Sequence, residues 1–241
     1  MSGQRKADPQ DLQAAIASSL SVLGDNTPYL AEANDPRYLG YGVRAPEKKR
    51  FLASLKTQIA NLSTEGKIDL ARRLIASGYG EQKSVALALL ETVPDHFTPD
   101  RFGELKTLVA GLHGWSKIDG VTKLFLPRIL ENHEREMMDL LGSWNTSEDQ
   151  WLRRASVVIF TRKVAKSGLF KEVALRHCDN LKSNPEHLVQ TGVGWCLRDL
   201  MRWHKDEILP YVLELRRKGV SSKITLYALR DIKGEERRAI F

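Results

Sequence analysis

Apolar residues recur three and four positions apart along nearly the whole chain and almost nowhere at two, the spacing of helix faces rather than of strands. The pattern predicts about a dozen helices of ordinary length joined by short turns. Pro46, the Thr98 and Pro99 pair, Ser147 before Glu148, and Pro185 after Asn184 mark helix starts, because such residues cap orphan amides or fit the first turn. Gly78, Gly168 and Gly219 mark stops. The segment "ASVVIFTRKV" (155–164) has strand-like composition, yet Ala155, Val158, Ile159 and Arg162 keep helical spacing with Trp151, so it is expected to be helix. Only "NDPRYLGYGVRAP" (34–46) reads as a loop, interrupted as it is by Pro36, Gly40, Gly42 and Pro46.

No Gly/Ser-rich or Pro-rich linker divides the chain, so a single domain over residues 1–241 is expected, with the first ten or so polar residues loose. Trp115, Trp151 and Trp195 lie 36 and 44 residues apart, each followed within one turn by a charge (Asp119, Arg154, Arg198). A period of ~40 residues built from helix pairs is that of HEAT-type arrays. The expected fold is therefore all-α, a superhelical solenoid of HEAT-like helical repeats.

Composition narrows the function. Lys and Arg number 37 against 30 Asp and Glu, a net charge of +7, which favours a polyanionic partner. The only cysteines, Cys178 and Cys196, are eighteen residues apart without a metal-ligand pattern, as in a protein of a reducing compartment. The polar start "MSGQRKADPQ" is no signal peptide, and apolar stretches such as Val85–Leu90 are too short for a bilayer, so a cytoplasmic protein without membrane contact is expected. Phosphate-binding glycine loops, zinc-protease motifs and nucleophile elbows are absent, and neither metal nor cofactor is implied.

What remains is a constellation of indoles, an acid and guanidinium groups. In "GLHGWSKIDGV" (111–121), Trp115 and Asp119 stand at i and i+4, on one side of one helix. "WLRRAS" (151–156) adds Arg154; "GVGWCLRDL" (192–200) adds Trp195 and Arg198, with Gly192 and Gly194 each weakening that helix by roughly 1 kcal/mol relative to Ala. Glycines so placed allow close backbone approach. Singly, a tryptophan is most often core and an acid most often solvated. Together, indole faces attract cations, arginines grip phosphates, and a carboxylate opposes developing positive charge.

Those three motifs, with "YLGYGVRAPEKKR" (38–50) and "SKITLYALRDI" (222–232) in the same order and spacing, resemble the AlkD-like family of bacterial DNA alkylation-repair glycosylases. The resemblance spans about Tyr38 to Ile232. It implies a HEAT-like superhelix that holds double-stranded DNA in a basic cleft and excises cationic N3- or N7-alkylated purines without rotating the base into a pocket. It places the catalytic acid on Asp119, the cleft tryptophans on Trp115 and Trp195, and the phosphate-binding arginine on Arg154. Tyr29 is the candidate for the family's lesion-side tyrosine, and Gly114 stands where the family often has a further aromatic. Lys48, Lys49, Arg50, Arg162 and Arg198 are the further DNA-backbone candidates. The expectation is a monomeric enzyme of the bacterial cytosol, nucleoid-associated when bound to DNA. The competing class is a non-catalytic HEAT-like scaffold for branched or damaged DNA or for a protein, in which an acid facing DNA would have no use.

Overall fold

The computed structural model describes residues 8–25 and 39–240. Among them the regular structure is helical throughout, as the apolar spacing predicts, with a lone bridge where Leu39 pairs with the Gly78–Gly80 turn. Contacts group the chain into two compact units, residues 1–129 and 130–241.

The first unit contains α1 (Pro9–Leu23), α2 (Ala45–Ser54), α3 (Lys56–Ala60), α4 (Thr64–Ala76), α5 (Gly80–Leu90), α6 (Phe102–Leu112) and α7 (Trp115–Leu124). Helix α4 packs against α1, α5 and α6, and α7 against α5 and α6. Its core is aliphatic and aromatic, including Leu70, Leu74, Leu89, Leu90, Phe97, Leu105 and Leu112. Helix α5 is buried except for a narrow stripe at Ser84 and Ala88, so that Glu81, Gln82 and Lys83 lie inside the protein together with Val85 and Leu89. The Glu81 carboxylate accepts the backbone N–H of Tyr41 (3.1 Å), Gly42 (3.1 Å) and Val43 (3.2 Å). Gln82 Nε2 donates to Tyr41 Oη (2.7 Å), and the Tyr41 ring stacks on Tyr79 with centroids 4.2 Å apart. Residues 41–43, read from sequence as loop, are thus a clasped segment whose amides have a charged acceptor.

Helix α8 (Leu126–Asn132) precedes α9 (Glu134–Asn145), α10 (Gln150–Val158), α11 (Arg162–Ser167), α12 (Lys171–Leu181), α13 (His187–Met201), α14 (Lys205–Arg217), α15 (Ser222–Ala228) and α16 (Gly234–Ile240). In the second unit α13 is central, touching α10, α11, α12, α14 and α15. Trp144 is fully buried and Trp151 nearly so, both as core residues beside Leu141, Leu152 and Val158. Cys178 and Cys196 are fully buried free thiols. The same unit holds a buried polar knot: Asn145 Nδ2 donates to Ser156 Oγ (3.0 Å), and His177 Nδ1 lies 3.0 Å from the Ser156 carbonyl.

Helix boundaries follow the sequence signals in part. Gly78, Gly168 and Gly219 all end helices at positive φ (81°, 70° and 77°), where a Cβ is disfavoured. Pro46 lies in the first turn of α2, and Pro99 opens a short 3-10 turn that runs into α6. The start expected at Ser147 falls two residues later: Asp149 Oδ1 caps α10 through the amides of Trp151 (2.7 Å) and Leu152 (3.1 Å), while Ser147 Oγ accepts the Asp149 N–H (3.1 Å). The start expected at Pro185 shifts likewise, with α13 beginning at His187 after Asn184 Oδ1 has accepted the Glu186 N–H (3.0 Å). The single helix expected over 155–164 is two. Helix α10 ends at Val158, and α11 begins at Arg162 with φ 55°, a left-handed conformation that costs an L-residue roughly 1–2 kcal/mol. Apolar spacing carries across this break because Ile159, Phe160 and Thr161 remain in the core.

Candidate active site

The glycines around "GWSKIDG" each have a physical reason. Gly111 lets α6 approach α4, since a Cβ there would lie 2.6 Å from Ile75 Cγ2. His113 (φ 41°) and Gly114 (φ 85°) turn the chain sharply from α6 into α7. A Cβ on Gly120 would lie 2.6 Å from Leu87 Cδ2, so α7 sits tight on α5. With Ile118 and Val121 fully buried, the rotation of α7 is fixed. That leaves Trp115, in its first turn, 40% exposed, and Asp119, one turn on, half-buried at the helix edge. Lys117 between them is buried and donates from Nζ to Ser116 Oγ (3.0 Å).

The basic run of the first unit rides on α2. Lys49 and Arg50 are exposed and Lys48 half-buried; Arg50 Nη2 pairs with Glu47 Oε1 at 3.1 Å in the open. The start of α2 is set by the Glu81 clasp on residues 41–43. Burial pushes the Tyr41 hydroxyl above its ordinary pKa, consistent with a neutral hydroxyl that accepts from Gln82. Tyr29 lies outside the described residues.

In the second unit four expected site residues converge on α13. Leu188, Thr191, Trp195 and Arg198 follow one another by three or four along one stripe of that helix, which Arg202 continues at its C-cap. Arg154 reaches this stripe from α10. It is 5% exposed, and its Nη1 donates to the Leu188 carbonyl and to Thr191 Oγ1 (3.2 Å). Gly192 makes the room, because a Cβ there would stand 3.3 Å from Arg154 Cγ. Gly194 does the same for α15: its Cβ would meet Tyr227 Cβ at 2.8 Å and the Ile224 carbonyl oxygen at 2.9 Å. Both glycines just before Trp195 are therefore points of close approach, as their placement in a helix suggests.

Trp195 is half-buried, and the Arg162 guanidinium lies 4.4 Å from its ring centroid. Arg198, with 15% of its side chain exposed, donates to Asp199 Oδ1 (3.2 Å) and lies 5.3 Å over the Tyr227 ring. Arg202 Nη1 donates to the same Asp199 oxygen (3.1 Å), while its Nε donates to Asp231 (2.6 Å), a hydrogen bond that raises its pKa further. Asp199 itself is 3% exposed; its other oxygen, Oδ2, accepts the backbone N–H of Arg162 (3.0 Å).

Sequence reasoning missed Asp199 and the strained turn at Arg162. The acid is visible in "CLRDL", but its partner stands 37 residues upstream, and no local pattern announces the pairing. Trp151, third member of the tryptophan period, is core; only Trp115 and Trp195 of that series reach the surface. Arg153, next to Arg154, turns the other way and donates to the Ser147 carbonyl (2.8 Å).

Among the described residues no helix is long and apolar enough to cross a membrane. No curated protein matches the chain. A solved structure of a predicted DNA alkylation repair enzyme from Enterococcus faecalis superposes with a TM-score of 0.69 at 16% identity, covering 92% of this chain and 95% of that one. That likeness establishes the shared helical fold. The family model of the DNA alkylation repair enzymes matches residues 35–232, a span that takes in Asp119, Arg154 and Trp195 with every other site residue placed above, and the chain belongs to that family.

Proposed function

We propose that the protein is a DNA glycosylase that hydrolyses the N-glycosidic bond of cationic N3- or N7-alkylated purines in duplex DNA. The observation that carries this reading is the setting of Asp119, a carboxylate held half-buried at the edge of α7, one turn from an exposed indole, in a chain of net charge +7. A DNA-facing acid repels phosphate, so its use lies in the reaction.

The chemistry needs no other acid. Alkylation at N3 or N7 gives the purine a formal positive charge, so the base leaves with the bonding electron pair and becomes neutral without being protonated. As the C1′–N bond stretches, positive charge grows on the sugar. Asp119 stabilises that charge and directs a water oxygen onto C1′, taking up the proton that the water loses. At about 4 Å and an effective dielectric near 20, such a pair is worth up to ~4 kcal/mol, roughly a thousandfold in rate. We assign the indole faces of Trp115 and Trp195 to the sugar of the cationic nucleotide and Arg154 to a flanking phosphate, for which its buried guanidinium has to exchange the Leu188 carbonyl and Thr191.

The sequence offers an open array of Trp and Arg rather than a pocket motif, which suits contact through the backbone rather than extrusion of the base. Bulky cationic adducts are then acceptable substrates. The test is release of free base from duplex DNA carrying a methyl or a bulky cationic purine, by the wild type and by Asp119→Asn. We expect both adducts to be released, and the variant to be slower by about a thousandfold. Equal release by both proteins removes Asp119 from its role, and release of the small adduct alone removes the backbone-contact reading.

A further inference from the structure

We propose that Asp199 is a positioning residue of this site: its buried carboxylate holds the turn at Arg162 in its left-handed conformation and so seats the Arg162 guanidinium on Trp195 as a clamp for a DNA phosphate. The inference rests on the DNA-repair reading above and assigns a division of labour within it.

Three observations carry it. The first is the strain itself. Arg162 has a Cβ and a long side chain, yet sits at φ 55°, a conformation that persists only where the surroundings hold it. The Asp199 Oδ2 bond to the Arg162 N–H (3.0 Å) is such a hold, from a residue 3% exposed on the central helix of the unit.

The second is how the carboxylate divides its partners. Oδ1 faces two guanidiniums, of Arg198 (3.2 Å) and Arg202 (3.1 Å), which balance its charge; Oδ2 serves the turn. A charged acceptor makes a stronger hydrogen bond to the amide than a neutral one does. Asp199 therefore acts on Arg162 through the backbone, while the guanidinium charge of Arg162 is directed elsewhere.

The third is where that guanidinium goes. It lies 4.4 Å over the Trp195 ring, on the stripe that also receives Arg154 through Thr191. An arginine stacked on an indole keeps its planar fork in one orientation and is weakly hydrated, so it loses little freedom on meeting a phosphate. Trp195 thereby acquires a second task, as a platform for a cation.

The prediction has an unusual sign. Removing an acid from a DNA-binding face strengthens attraction to DNA if only charge matters; Asp199→Ala should instead weaken it. The experiment measures binding to methylated duplex DNA across a salt series, together with kcat/KM and a thermal melt, for the wild type and four variants. Arg162→Gly deletes the guanidinium while tolerating the positive φ, and should flatten the slope of log K against log salt by about 0.9, one phosphate contact. It should lower kcat/KM about tenfold, chiefly through KM. Asp199→Ala should flatten the slope by the same amount, and the double variant Asp199→Ala/Arg162→Gly should lose no more than Arg162→Gly alone. Asp199→Asn, which keeps an acceptor for the amide, should recover at least half of what Asp199→Ala loses. The proposal is overturned if Asp199→Ala binds as tightly as the wild type with an unchanged slope, or if the two losses multiply in the double variant. Should Asp199→Ala not fold, an unchanged slope in Arg162→Gly overturns it equally. A wild type that binds DNA but releases no methylpurine would sink the glycosylase reading and leave the clamp to be decided by the slopes.

Discussion

Gly194 meets a neighbour that cannot yield. Its missing Cβ would stand 2.9 Å from a backbone carbonyl, that of Ile224, and 2.8 Å from Tyr227 Cβ, so Gly194→Ala must push α15 off α13. Overpacking of this kind costs typically 1–3 kcal/mol, and the roughly 1 kcal/mol that Ala gains in helix propensity offsets only part of it. Urea unfolding should show a net loss, with lower affinity for DNA because Trp195 is the adjacent residue. His177 gives a pH signature. Burial lowers its pKa below the ordinary value, the bond to the Ser156 carbonyl opposes that, and Arg176 adds to the lowering. The unfolded chain therefore takes up a proton near pH 6.5 while the folded one still resists. Stability is full above that pH and declines as pH falls below it, until the folded-state pKa is reached; His177→Gln should flatten this dependence in melts taken from pH 7.5 to 5.

Among the elements, α10 and α5 show what the sequence discloses and what it hides. Helix content, the glycine stops and the Trp115 and Asp119 pair are legible because they rest on contacts within a few residues. The break before Arg162 is not, because a carboxylate 37 residues away stabilises it and apolar burial runs on through residues 159–161. Nor is the clasp on residues 41–43, whose glycines and proline read as loop until Glu81 is brought to them. Helix α5 carries no polar face to mark its orientation, since its charged first turn is as buried as its aliphatic end. Glu81→Ala should cost about 1–3 kcal/mol by leaving buried amides unsatisfied. Hydrogen exchange at Tyr41, Gly42 and Val43 should accelerate well beyond that of α4 and α6; equal acceleration everywhere would mean a general loss of stability instead. Asp149→Ala should cost about 1 kcal/mol, the loss of an N-cap serving two amides of α10, read as a lower denaturation midpoint.

At the scale of the whole molecule, the net charge of +7 is unevenly useful. Several arginines are balanced locally: Arg202 by Asp199 and Asp231, Arg217 by Glu214, Arg72 by Glu104. Glu214 is held down at about 2 by its hydrogen bonds to Arg217 and Lys218, so its own pairs with them stay ionised throughout the neutral range. The cations left to meet a polyanion are accordingly fewer than the composition suggests. Affinity for duplex DNA should still fall steeply with salt, about 0.9 in the log-log slope per phosphate neutralised, and a flat response would contradict DNA as the partner.

The two buried thiols have a practical consequence. Cys178 and Cys196 are the only cysteines in the sequence, and both are sealed beneath packed helices. Maleimide dyes should pass over the folded protein, so an engineered Lys123→Cys/Ser143→Cys pair, at two exposed positions, would accept a donor and an acceptor fluorophore on the otherwise native sequence. Energy transfer between the dyes would then follow the distance from one compact unit to the other, in free solution and with damaged duplex added.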